Sequence, residues 1–226
     1  MLLNFSQKKL VLTSLFSAVV FGLLAWLIQT SATFQNFDNS TVIFFAQGRC
    51  AASDAFFLAV TYFGNEEFII FSSILLAGVF YAYRKIPYYI LFIGTILGSS
   101  AFVFILKALI GRARPDAIAP IYLETSPSFP SGHAALSVIF YGLLAYLLAK
   151  NTNIKQTQKN LLAGWIFIFA MIGYSRLHLG VHFLSDVLAG YAAGFFFLSV
   201  SIILFEQLFA GQLTWWQKIF KKLHIQ

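Results

Sequence analysis

The chain has 226 residues, 59% of them hydrophobic and 10% charged, with a formal net charge of +7. A soluble domain usually carries about 25% charged residues, so the composition excludes an ordinary soluble domain and points to a membrane protein. The positive charge does not describe a nucleic-acid binder, because most basic residues sit in short stretches between apolar runs, which is how membrane topology is encoded. The one cysteine, Cys50, allows neither an intrachain disulfide nor a cysteine metal site.

A membrane helix needs about 20 mostly apolar residues. Residues 10–29 supply the first, after Lys8 and Lys9. This run is longer than the apolar part of a signal peptide, so a retained anchor is expected. Residues 30–54 carry Asp38, Arg49 and Asp54 and read as the longest loop. Residues 55–63 are apolar but too short to span, and read as an interfacial helix in this first external loop. Gly64-Asn65 breaks the pattern. Further spans are expected at about 66–83, 87–107, 132–149, 161–177 and 182–205. Pro115, Pro120, Pro127 and Pro130 mark the 111–130 stretch as a loop. Trp215-Trp216 followed by Lys218, Lys221 and Lys222 reads as an amphipathic interfacial tail.

The expected fold is therefore all-α, a polytopic membrane protein of six transmembrane helices in a single domain over residues 1–226. With the N-terminus inside, Lys8, Lys9, Arg84, Lys85, Lys150, Lys155, Lys159, Lys218, Lys221 and Lys222 are cytoplasmic. Only Arg49, Lys107, Arg112, Arg114 and Arg176 face outward, and every acidic residue except Glu206 joins them. Lysine and arginine bias sets orientation, so both termini are expected in the cytoplasm.

Three stretches on the outer side carry ionisable residues that are costly in a membrane and mark function by default. Lys107 and Arg114 are seven residues apart, two turns on one face if the helix continues, with Pro115 as its stop. Two fixed cations suit a dianionic phosphate, and arginine adds a planar fork that grips two oxygens. Pro130-Ser131-Gly132-His133 opens the next span. Ser131 is a good cap, Gly132 lets a bound group approach the backbone, and a helix N-terminus favours anions. In the third stretch, His182 and Asp186 are four apart, one helical turn. An aspartate on one ring nitrogen fixes the tautomer and turns the other nitrogen outward, which suits His182 as a nucleophile. Arg176 lies six residues earlier and can complete a phosphate clamp. Singly, these could be interfacial cations, a capped helix start and a bundle hydrogen bond. Together they would require three independent accidents on one membrane face.

The same residues resemble the type 2 phosphatidic acid phosphatase family, of the membrane-bound lipid phosphatase and vanadium haloperoxidase superfamily. Its marks are lysine, six residues, Arg-Pro; then Pro-Ser-Gly-His; then Ser-Arg, five residues, His, three residues, Asp. Here they stand as Lys107…Arg114-Pro115, Pro130-Ser131-Gly132-His133 and Ser175-Arg176…His182…Asp186, over a motif core of 107–186. The resemblance implies His182 as nucleophile, Asp186 as its orienting partner and His133 as general acid, then base. It implies Lys107, Arg114 and Arg176 as the phosphate clamp, helped by Ser131 and the Gly132 N–H. Arg112 and His178 are expected as supporting residues around the site. Arg112, Asp116 and Glu124 could also tune the leaving group's surroundings.

No metal and no cofactor are expected, since three cations can meet the phosphate charge and no carboxylate cluster is visible. The expected partners are a lipid phosphate substrate and the bilayer, with no nucleic acid and no obligatory protein partner. The resemblance implies a multi-pass protein of a cell membrane, most simply a bacterial plasma membrane, with its site facing outward. Undecaprenyl diphosphate is favoured by that orientation. Phosphatidylglycerol phosphate, phosphatidic acid and phosphate transfer to another lipid remain alternatives inside the enzyme class. An anion transporter also places cations in a membrane pathway, but needs neither the histidine–aspartate pair nor a second histidine on a capped helix.

Overall fold

The computed structural model describes residues 7–116, 118–150 and 152–223, with side chains described as far as Phe209. The described chain is helical, in the order α1 (Gln7–Thr30), α2 (Ala32–Ala46), α3 (Ala51–Tyr62), α4 (Glu66–Ala82), α5 (Ile86–Ile110), α6 (Gly132–Lys150), α7 (Lys155–His178) and α8 (Leu184–Leu223). Five of these, α1, α5, α6, α7 and α8, are long and apolar enough to cross a membrane. A sixth crossing is possible if the bent pair α2 and α3 counts as one broken span. The expected second span, α4, has 17 residues and is about 26 Å long at 1.5 Å per residue.

α6 is the centre. Most of its length is buried, and α4, α5, α7 and α8 pack around it. Ile69 of α4, Phe92 and Ile96 of α5, Val138, Ile139 and Leu143 of α6, and Leu198 and Ile202 of α8 form the main core. Small residues bring α8 close to the start of α6. A Cβ at Gly190 would lie 2.5 Å from the Ser131 carbonyl oxygen, and one at Gly194 would lie 2.8 Å from that of Ala135. The periphery keeps large apolar side chains exposed, such as Phe16, Phe104 and Leu109, as a chain solvated by hydrocarbon requires. α1 packs along α8.

The 30–54 stretch corrects the loop reading. It is mostly helix, because Ser31 caps α2 by accepting the Phe34 N–H at 3.2 Å, and α3 starts at Ala51 with Ser53 Oγ accepting the Cys50 N–H at 2.9 Å. The two helices meet at a 117° bend and pack on α7. The short helix expected over 55–63 is present as α3. The tail expected over Trp215–Lys222 continues the α8 backbone to Leu223, and its side chains lie outside the described residues.

Candidate active site

Three chain segments converge beside the N-terminus of α6. The first is the end of α5 and the loop after it. Gly111 takes the left-handed conformation (φ 61) and stops α5. Arg114 therefore does not share a helical face with Lys107, and the spacing argument is corrected: the helix ends four residues before Arg114. Arg114 is held by the loop itself. Its Nε donates to Ser126 O at 2.8 Å and its Nη1 to Val181 O at 2.7 Å. Lys107, in the last turn of α5, donates to Pro127 O.

The second segment is the start of α6. Ser131 is fully buried, and its carbonyl accepts the Ala135 N–H at 3.1 Å. Its hydroxyl makes no hydrogen bond, so it is not the cap expected from its type. Its N–H donates to Asp186 O at 3.0 Å, which ties α6 to α8. Gly132 lies close against Lys107, where a Cβ would stand 3.9 Å from Lys107 Cε.

The third segment is the α7–α8 turn. Gly180 takes φ +72 under the Arg49 guanidinium, which leaves no room for a Cβ. His182 is buried in this turn, two residues ahead of α8. It reaches Asp186 through a local turn in which Asp186 Oδ2 also accepts the Phe183 N–H at 3.0 Å. His182 Nδ1 is 3.2 Å from Asp186 Oδ2, and Arg114 Nη1 is 3.3 Å from His182 Nε2. A guanidinium can only donate. Nε2 therefore carries the lone pair and Nδ1 the proton given to Asp186. Burial first, then the charges of Arg176, Arg114 and Lys107, push the His182 imidazole well below its ordinary range.

A cavity of about 540 Å³ opens beside these groups, although Arg114, Ser131, Arg176 and Asp186 are not among its lining residues. Lys107, Glu124, Gly132, His133 and His182 are among its polar lining residues. Leu58, Tyr62, Val103, Phe104 and Leu136 also line it, and Tyr62 and Phe104 are exposed at the periphery.

Arg176 is fully buried in the last turn of α7. Its Nη1 donates to Thr61 Oγ1 at 2.7 Å and to Tyr122 Oη, and its Nη2 pairs with Glu124 Oε1. Its Nε, like Ser131 Oγ, has no hydrogen-bond partner. Arg114 Nη2 pairs with the other Glu124 oxygen at 2.5 Å. Burial would raise the Glu124 carboxyl, but Arg176 and Arg114 outweigh it and hold it down at about 2.

The two expected supporting residues go to different places. Arg112 stands behind Asp186, donating to Asp186 Oδ1 at 2.7 Å, to Ser185 Oγ at 2.8 Å and to Asp38 Oδ2 at 2.8 Å. Its guanidinium lies 3.9 Å from the Phe183 ring centroid. His178 does not line the cavity. It pairs with Asp54 at 2.9 Å, stacks near Phe57 and so ties α7 to α3. Asp38, Thr61 and Tyr122 were not foreseen. Asp38 is fully buried and accepts from the Ser185 N–H at 3.1 Å, from Ser185 Oγ and from Arg112. The readable signal was its place, three residues after Gln35 and seven after Ser31, on one face of a capped helix.

Comparison with known proteins places the chain among relatives. The PAP2 superfamily model matches residues 88–210. Phosphatidylglycerophosphatase B of Bacillus subtilis (strain 168) is 34% identical over 139 residues, covering 60% of this chain and 66% of that protein. A lipid A 1-phosphatase of Rhizobium johnstonii is 30% identical over 171 residues, covering 66% of each. The chain thus spans 66% of the length of both relatives. The crystal structure of a transmembrane PAP2 type phosphatidylglycerolphosphate phosphatase from Bacillus subtilis superposes with a TM-score of 0.78 at 27% identity, over 86% of this chain and 96% of that one. Aquifex aeolicus LpxE shares the fold, with a TM-score of 0.55 at 22% identity over 71% of this chain and 92% of that one. With more than half its length matched by the family model and five helices long and apolar enough to cross a membrane, the chain belongs to the PAP2 superfamily as a multi-pass membrane protein.

Proposed function

We propose that the chain is a lipid phosphate phosphatase that works through a phosphohistidine on His182. The observation that carries this is the placing of the buried His182 ring, with its Nε2 3.3 Å from Arg114 Nη1 and its Nδ1 3.2 Å from Asp186 Oδ2. Nε2 attacks phosphorus, the N–P bond forms and the ester P–O bond breaks. His133, lining the same cavity, gives its proton to the leaving oxygen. It then takes a proton from the water that cleaves the N–P bond. Asp186 steadies the positive ring between the two steps.

Lys107, Arg114 and Arg176, with the Gly132 N–H, take the charge on the phosphoryl oxygens, which is usually the largest catalytic contribution. Ser131 Oγ and Arg176 Nε are buried polar atoms without partners, a state that costs about 1–3 kcal/mol each. Phosphoryl oxygens would satisfy both. The apolar lining of the cavity suits an acyl or prenyl chain while the headgroup reaches the cations.

The basic-residue bias supports cytoplasmic termini and a site at the outer surface of a bacterial plasma membrane, with α3 lying in the interface. The names of the relatives support phosphatidylglycerol phosphate as the first substrate to test. The outward site favours undecaprenyl diphosphate as the second. The test is phosphate release from both lipids by purified wild type and His182→Ala. Release that depends on His182 is expected, and equal release by the variant refutes the nucleophile.

A further inference from the structure

The clamp assigned to the phosphoryl group already holds a carboxylate. Glu124 gives one oxygen to Arg176 and the other to Arg114, and Tyr122 Oη donates to Oε1 at 3.0 Å. A guanidinium fork receives two carboxylate oxygens or two phosphate oxygens in the same way. Two anions cannot share it, because unit charges this close repel strongly wherever water is scarce.

The backbone of the segment carrying Glu124 is tied at both ends, and between them it is held by the side chains of Tyr122 and Glu124 on the two arginines. Ile121 N–H donates to Leu179 O at 3.1 Å, and Ser128 N–H to Arg112 O at 2.8 Å. Ser126 O is held by Arg114 Nε. Between these anchors Leu123 is 87% exposed, so moving it outward sacrifices almost no packing. With its carboxyl held far below the ordinary range, Glu124 stays an anion under working conditions.

We propose that Glu124 is a resident counter-ion of the clamp, which every incoming anion must displace. The inference rests on the phosphatase reading of this site. Displacement weakens the binding of every anion by one common factor. A bilayer is crowded with phosphodiester headgroups that each carry a single negative charge. A common factor keeps these weak, abundant monoanions from filling the site, while a doubly charged terminal phosphate still binds. The return of Glu124 also helps to expel inorganic phosphate after turnover.

The test is titration calorimetry on the full chain in detergent. The ligands are inorganic phosphate and glycerophosphoglycerol, a soluble phosphodiester monoanion. Glu124→Gln is expected to tighten both by the same factor, about tenfold or more, as losing a charge-assisted competitor implies. Unchanged affinities, tightening of one ligand alone, or binding in neither protein would overturn the proposal. Tyr122→Phe removes one donor from Glu124 and keeps its charge, so both ligands should tighten about two- to fivefold. If Glu124→Gln does not fold, unchanged affinities in Tyr122→Phe overturn it instead. Hydrolysis of phosphatidylglycerol phosphate by wild type is measured beside the titrations. Its absence counts against the phosphatase reading, while the shared binding factor alone judges Glu124.

Discussion

Gly190→Ala tests whether the α6–α8 contact sets the catalytic geometry. The new Cβ would lie 2.5 Å from Ser131 O and 2.9 Å from Ala134 Cβ, whereas ordinary contact begins at 3.4 Å. The nearest atom is backbone and cannot rotate away, so the start of α6 must retreat by roughly 0.9 Å. That motion stretches the Ser131 N–H bond to Asp186 O and draws Gly132 and His133 away from His182. Overpacking of this kind costs about 1–3 kcal/mol of stability. A displacement near 1 Å in a reacting geometry costs about 100-fold in rate. The variant should therefore remain folded in detergent, with a modestly lower Tm and kcat for lipid phosphate hydrolysis down about 10- to 100-fold. Gly94→Ala is the control, since a Cβ there meets nothing within 4 Å. Wild-type kcat in Gly190→Ala would refute the claim that this helix contact positions the site.

Asp38→Asn leaves the largely buried Arg112 without one of its two fully buried carboxylate partners. It should cost about 3–5 kcal/mol in stability, and kcat should fall about tenfold as the unbalanced Arg112 charge draws Asp186 from His182. Thermal unfolding and phosphate release check the two parts. Arg176→Lys keeps the charge but loses the planar fork that spans Thr61, Tyr122 and Glu124. A loss in kcat/KM of about 100- to 1,000-fold is expected in the same assay. The depressed His182 pKa means that the neutral nucleophile survives as pH falls and is lost only below the ordinary imidazole range. Once the headgroup's own ionisation is divided out, the acid limb of kcat/KM should lie below about pH 6.5. A limb at or above that value would contradict the neutral-ring assignment.

The candidate residues were legible because ionisable groups between apolar runs stand out. Lys107, His133, Arg176, His182 and Asp186 could be singled out from type and spacing. Their supports were harder to read. Asp38 sits in a stretch whose Gln35, Asp38, Asn39 and Ser40 lower its hydropathy to that of a loop, although Ser31 caps a helix there. Its partners are 74 and 147 residues away, a distance no local pattern reports. Arg114 was misplaced on a helical face because seven residues matched two turns. The stop signal was Gly111, a left-handed C-terminal glycine, rather than Pro115. The ends of α5, α6 and α8 around the site lie within a few residues of the expected spans, while α7 begins six residues earlier than expected. Its polar first turn, Lys155-Gln156-Thr157-Gln158, hid the extension from a hydropathy reading.

The central claim is covalent catalysis at His182 Nε2. Wild type mixed with phosphorus-labelled phosphatidylglycerol phosphate, quenched in alkali within milliseconds and mapped by mass spectrometry, tests it directly. The account predicts label on His182, lost on a chase with unlabelled substrate and absent from His182→Ala. Hydrolysis that proceeds with no labelled protein, or with label on any other residue, would contradict it.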